Sequence, residues 1–160
     1  MSGWQDFFVA QAGAAAVLIG FIFLSVSINL KEIATHSDLA DRALEDLVLL
    51  VGVLFVASVL LVPNQDGRLI ALEVTGIGVL MWAVVTPLLW ISRSRFNSPY
   101  RRSFLVHVLL SQAAVLAFVL AGLIIAGRGD GGLYWLVPGI FGSIFVAIGD
   151  AWVLLVEIQR

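Results

Sequence analysis

Asp150 lies inside Leu133 to Ile158, an otherwise apolar stretch long enough to cross a bilayer as a helix. A carboxylate there is costly unless it is paired, neutralised or wetted, so its type and place point to ion or proton handling, or to a buried hydrogen-bonded group. Glu73 stands in a second apolar stretch and His107 in a third. At 100° per residue, Gly139, Ser143, Asp150 and Glu157 fall within about 40° of one another and form one small, polar stripe. His107 and Ser111 share a face that Ala114 and Ala121 continue. Helical rise sets Ser111 at the depth of Asp150, roughly 10 Å from the inner boundary, with His107 somewhat nearer to it. Asp150 therefore has a candidate partner in His107 or Ser111. Towards the other boundary Glu73 and Gln11 reach comparable depths, and there the structural alternative is a carboxylate that reaches interfacial water or Arg68.

The elements that must position these groups follow from composition. With 61% hydrophobic residues, 12% charged residues and a mean hydropathy of +1.04, the chain lies outside soluble globular usage. The expected fold is an all-α integral membrane bundle of five transmembrane helices in a single domain. The spans fall near Phe7 to Leu30, Leu47 to Val62, Leu69 to Ile91, Phe104 to Ala126 and Leu133 to Ile158. Ser37 reads as an N-cap with Asp38 and Asp41 in the first turn, so the second helix starts in water before it enters the membrane. Pro63-Asn64-Gln65-Asp66-Gly67 and Gly127 to Gly132 are short, breaker-rich turns that force neighbouring helices antiparallel. The first stretch lacks a basic leader and a small-residue cleavage site, and reads as a retained helix. Lys31, Arg42, Arg93, Arg95, Arg101, Arg102 and Arg160 fall on one side against Arg68 and Arg128 on the other, which predicts N-terminus out and C-terminus in.

The predicted inner side is sorted further. Lys31 to Asp46 carries Glu32, Asp38, Asp41, Glu45 and Asp46, whereas Arg93 to Arg102 carries four arginines and no acid. Loop-to-loop pairing is the plainer reading, worth about 0–1 kcal/mol for each exposed pair. The functional reading is a partner or lipid-headgroup surface at Arg93, Arg95, Arg101 and Arg102. On the first helix Ala12, Ala16 and Gly20 recur at four-residue spacing, and Gly13, Gly20 and Ser27 at seven, a pattern that lets backbones approach closely in lipid. Five short spans leave little interior for a path, so a homo-oligomer is expected.

Catalytic signatures are absent: the sequence has no GxSxG, HExxH or phosphate-binding loop, and with no cysteine it has no thiolate chemistry. Neither a cofactor nor a metal site is expected. His36 and His107 are too far apart to chelate together, and the arginine cluster is explained by topology rather than by nucleic acid. Trp4, Trp90, Tyr134 and Trp135 fit a boundary belt of aromatics.

The runs Gly13 to Phe21 and Ser25 to Leu30, with Ala151 to Glu157 at the far end, resemble a family of small, uncharacterised bacterial multi-span membrane proteins. The resemblance implies a bacterial inner-membrane setting and no particular activity. Two functions are therefore expected to compete. One is a homo-oligomeric channel or pore for small ions or protons. The other is a non-transporting subunit or modulator that binds a second membrane protein.

Overall fold

The computed structural model describes residues 2–35, 37–95 and 101–152, and among these the chain is helical without strands. A single 3-10 turn at Ser2–Trp4 leads into α1 (Gln5–Ile28), followed by α2 (Leu30–Thr35), α3 (Ser37–Leu60), α4 (Gly67–Arg95) and α5 (Arg101–Arg128). A second 3-10 turn, Gly129–Gly132, leads into α6 (Leu133–Trp152). Five of these helices are long and apolar enough to cross a membrane, over Gln5–Ile28, Leu39–Leu60, Gly67–Ile91, Phe104–Gly127 and Leu133–Trp152. These are the lengths and compositions of a multi-pass membrane protein.

The boundaries differ from the sequence expectation at two places, each for a local reason. The first helix stops at Ile28 because Ser25 and Ser27 turn their hydroxyls back onto the carbonyls of Phe21 and Phe23, at 2.8 Å each, and Asn29 then caps the end. Both the backbone N–H and the Nδ2 of Asn29 donate to the Ser25 carbonyl, at 3.1 and 3.2 Å. Side chains that compete for backbone carbonyls in this way favour helix ends. The short α2, which apolar periodicity did not reveal, follows at once. The second helix begins at Ser37, the residue read as its cap, but its membrane-length stretch, Leu39–Leu60, starts ahead of the expected Leu47, because its charged first turns continue the same buried face as the apolar residues beyond them.

α3 is the hub, packing against α1, α4 and α6, while α4 packs on α5 and α5 on α6. Its buried face carries Leu49, Val53, Val56 and Ala57, which share one core cluster with Val74 and Met81 of α4, Phe118 of α5, and Leu136 and Ile140 of α6, while Leu50 joins Ile22 of α1 and Ala147 of α6 in a second. Two glycines set the closest approach. A Cβ at Gly122 would stand 2.7 Å from the Thr75 nitrogen and 2.9 Å from the Ala71 oxygen, and one at Gly78 would stand 2.9 Å from the Val119 nitrogen. The backbones of α4 and α5 thus touch directly. In lipid such contact replaces the hydrophobic drive that assembles helices in water.

α1 is bound along one edge only. Phe8, Ala15, Ile22 and Asn29, at seven-residue spacing, are buried together with Ser25, and the rest of its surface turns outward or sits at the margin.

Candidate functional site

At the end of the bundle where α3 begins, one side of that helix presents Arg42, Glu45 and Asp46. Their positions fall on the helical face of Leu49, Val53 and Val56, so the pattern that buries the apolar residues carries the acids inward as well. Glu45 is 3% exposed and Asp46 is fully enclosed. From α5 comes His107 and from α6 comes Asp150, itself 5% exposed. Three helices therefore contribute three carboxyls, one guanidinium and one imidazole to a single buried cluster.

Its contacts are specific. Arg42 Nη1 donates to Asp150 Oδ1 at 3.2 Å. His107 Nε2 lies 3.2 Å from Glu45 Oε2 and 3.7 Å from Asp150 Oδ2. Facing two carboxylates, which only accept when ionised, Nε2 is the protonated nitrogen of the ring. Arg42 ties α3 to α6, and His107 ties α5 to both. Charge-assisted hydrogen bonds are about twice as strong as neutral ones, which makes this cluster a lock on the relative placement of three helices.

The lock is incompletely satisfied. Both oxygens of Asp46, Oε1 of Glu45 and Oδ2 of Asp150 are buried without a hydrogen-bond partner among the described residues, and so is Oγ of Ser111, one turn along α5 from His107. The charged neighbours of Asp46 are Asp150, Glu45 and Arg42. A native core seldom leaves so many acceptors together unpaired, since each carries a desolvation cost of about 1–3 kcal/mol or more. Among the described residues no group of three His, Asp or Glu is arranged to hold a metal ion.

One turn further into the bundle the buried positions are mostly apolar. Leu49, Leu50 and Val53 of α3, Val115 and Phe118 of α5, and Ala147 of α6 are each 2% exposed or less. Ser143 lies two turns beyond Asp150 and spends its hydroxyl on the Gly139 carbonyl at 2.8 Å.

The structure brings Asp150 and His107 together and leaves the other residues singled out from the sequence elsewhere. Glu73 is at the opposite end, where it accepts a hydrogen bond from Gln65 Nε2 at 2.5 Å. Gln11 is half-buried on α1. Glu157 lies outside the described residues. Ala12 packs against the core, whereas Gly13, Ala16, Gly20 and Ser27 face outward, and a Cβ at Gly13 or Gly20 would meet nothing within 4 Å. Arg93 and Arg95 end α4, and Arg101 and Arg102 begin α5, their side chains outside the described residues.

Sequence reasoning missed Arg42, Glu45 and Asp46 as site residues because it set the charged start of the second helix in water. The signal was present in the spacing: Arg42, Glu45, Asp46, Leu49, Val53 and Val56 share one half of a helix drawn from Ser37. Compared with protein-family models, curated proteins and solved structures, the chain matches none.

Proposed function

We propose that the chain is a small homo-oligomeric membrane protein that passes small ions or protons, with Arg42, Glu45, Asp46, His107 and Asp150 as its charged station. The observation that carries this reading is the enclosure of three carboxyls beside one guanidinium and one imidazole on helices otherwise built of apolar residues. Apolar side chains of similar size would hold three helices together at least as well, so ionisable groups retained at such cost argue for a use of their charge. Buried apolar residues follow the cluster along all three helices, an apolar layer that argues against a route through one protomer. In this reading the route runs between copies, with the outward small-residue stripe of α1 at the contact. The basic residues set the Arg42 end towards the cytoplasm of a bacterial inner membrane.

Purified protein in proteoliposomes tests it, with proton and monovalent-cation fluxes followed by entrapped dyes. Wild type should conduct above empty vesicles. Asp150→Asn, which preserves shape and one acceptor, should assemble normally and change the flux or its pH dependence.

The same apolar layer favours a second reading, a non-transporting subunit or modulator that binds another membrane protein. A monomer in detergent that gives no flux under any gradient would refute the first reading and leave this one.

A further inference from the structure

At the end of the bundle opposite the charged cluster, a cavity of about 330 Å³ opens where the start of α1, the α3–α4 turn and the start of α6 converge. Trp4, Gln5 and Phe8 form one wall, Asn64 and Gln65 another, and Leu133 part of the rest. We infer that this cavity binds an uncharged polyhydroxyl group, the sugar head of a glycolipid or a free sugar.

Three features select that chemistry. No ionisable side chain is among the described lining residues, so a charged group would give up its hydration there without a counter-charge from them. Three carboxamides, those of Gln5, Asn64 and Gln65, do line it, and a carboxamide both donates and accepts, as a hydroxyl does. The third feature is the orientation of Gln65. The Gln65 amide turns its Nε2 towards a Glu73 oxygen, and Oε1 is left buried with no donor among the described residues. A hydroxyl supplies the missing donor. An ionised phosphate or carboxylate supplies only more acceptors.

Shape agrees with the chemistry. The Trp4 indole lies nearly parallel to Phe8, with centroids 5.9 Å apart and planes at 21°, and meets Tyr134 edge-on at 5.0 Å. It is thus a braced aromatic plate on which the C–H face of a pyranose can rest, as apolar surface rests on aromatic rings generally. Asn64 holds a left-handed backbone, φ 58°, which fixes the turn that carries both Asn64 and Gln65. The volume sits at the low end of ligand cavities, about 300–1,000 Å³, and suits one sugar ring better than a larger ligand.

The test uses the full chain in phosphatidylcholine nanodiscs, where both ends of the bundle are accessible. One arm dopes the disc with a monoglucosyl diacylglycerol, a second adds methyl glucoside to the buffer, and a third dopes with phosphatidylmethanol, an anionic phosphodiester without hydroxyls, as the charged control. Readouts are the thermal midpoint and tryptophan emission, the latter referenced to Trp4→Phe. The inference expects a saturable response to the glucosyl lipid or to the free glucoside, and whichever arm responds identifies the source. In Gln65→Leu the affinity should fall about tenfold, the loss of one hydrogen bond. Should Gln65→Leu fail to fold, Gln5→Leu serves in its place, with the same expected loss. No response in either sugar arm, an equal response to phosphatidylmethanol, or undiminished affinity in the folded variant would overturn the inference.

Discussion

Asp150 holds α6 to α3 through Arg42 and stands 3.7 Å from His107, so its replacement measures how much of the bundle depends on the cluster. Asp150→Leu removes both contacts. Losing one partner of a wholly buried pair costs about 3–5 kcal/mol, because the other charge is stranded. Two features of this site lower the figure. The Arg42 side chain is 24% exposed and can lead its guanidinium to water along its stem, and His107 retains Glu45. The substitution also takes one carboxylate away from Asp46, which offsets part of the loss. The net expectation is a destabilisation of about 1–3 kcal/mol. Asp150→Asn keeps an acceptor for Arg42 and should lose less. A double-mutant cycle isolates the pair: Arg42→Met, Asp150→Leu and the double variant, unfolded reversibly in mixed micelles and followed by tryptophan fluorescence. The coupling energy should reach about 1–2 kcal/mol. Single effects that add to within about 0.5 kcal/mol would refute the reasoning, since residues joined by a charged hydrogen bond do not act independently.

Three further outcomes follow from the same structure. Asp46→Asn should raise the unfolding midpoint of the full chain, by the equivalent of about 1 kcal/mol, because an amide in this enclosed site carries no ionisable group and brings N–H donors beside the unpaired carboxyl oxygens of Glu45 and Asp150; a lower midpoint would show that the carboxyl is stabilised by its surroundings. Gly122→Leu should abolish folding or yield, as its side chain would enter the backbone of α4, whereas Gly20→Leu should leave the protomer's unfolding midpoint unchanged and alter only the mass of any oligomer measured by light scattering. Cysteines introduced at Ser37 and Ser98 should resist membrane-impermeant thiol reagents added outside intact cells, and ready labelling of either would overturn the proposed orientation.

How much of this was legible depended on which physical signal each feature leaves in a sequence. Five apolar runs of membrane length announce themselves, because crossing lipid requires about 20 predominantly apolar residues in a row and composition alone records that. The polar content of the core leaves a fainter mark. Asp150 could be singled out because it is isolated among apolar neighbours, and His107 because it shares its depth. Glu45 and Asp46 are equally buried, yet they sit among Asp38, Asp41 and Arg42, where local charge density suggests water. Only the helical phase of α3 distinguishes them, since that phase turns Glu45 and Asp46 inward with Leu49 and Val53. The small residues show the converse. Gly20 and Gly122 are indistinguishable by type, and the four-residue spacing around Gly20 is the more regular, but Gly122 is the one that meets a neighbouring backbone. Spacing shows that a close approach is permitted. Which helix accepts the invitation is decided by the rest of the bundle: α3 claims the Phe8, Ala15 and Ile22 face of α1, and the glycine face is left turned outward. For this chain, then, the stripe on α1 bears on assembly between copies and the charged cluster bears on the protomer, so Gly20→Leu and Asp150→Leu should separate in a single experiment that reads both mass and unfolding midpoint.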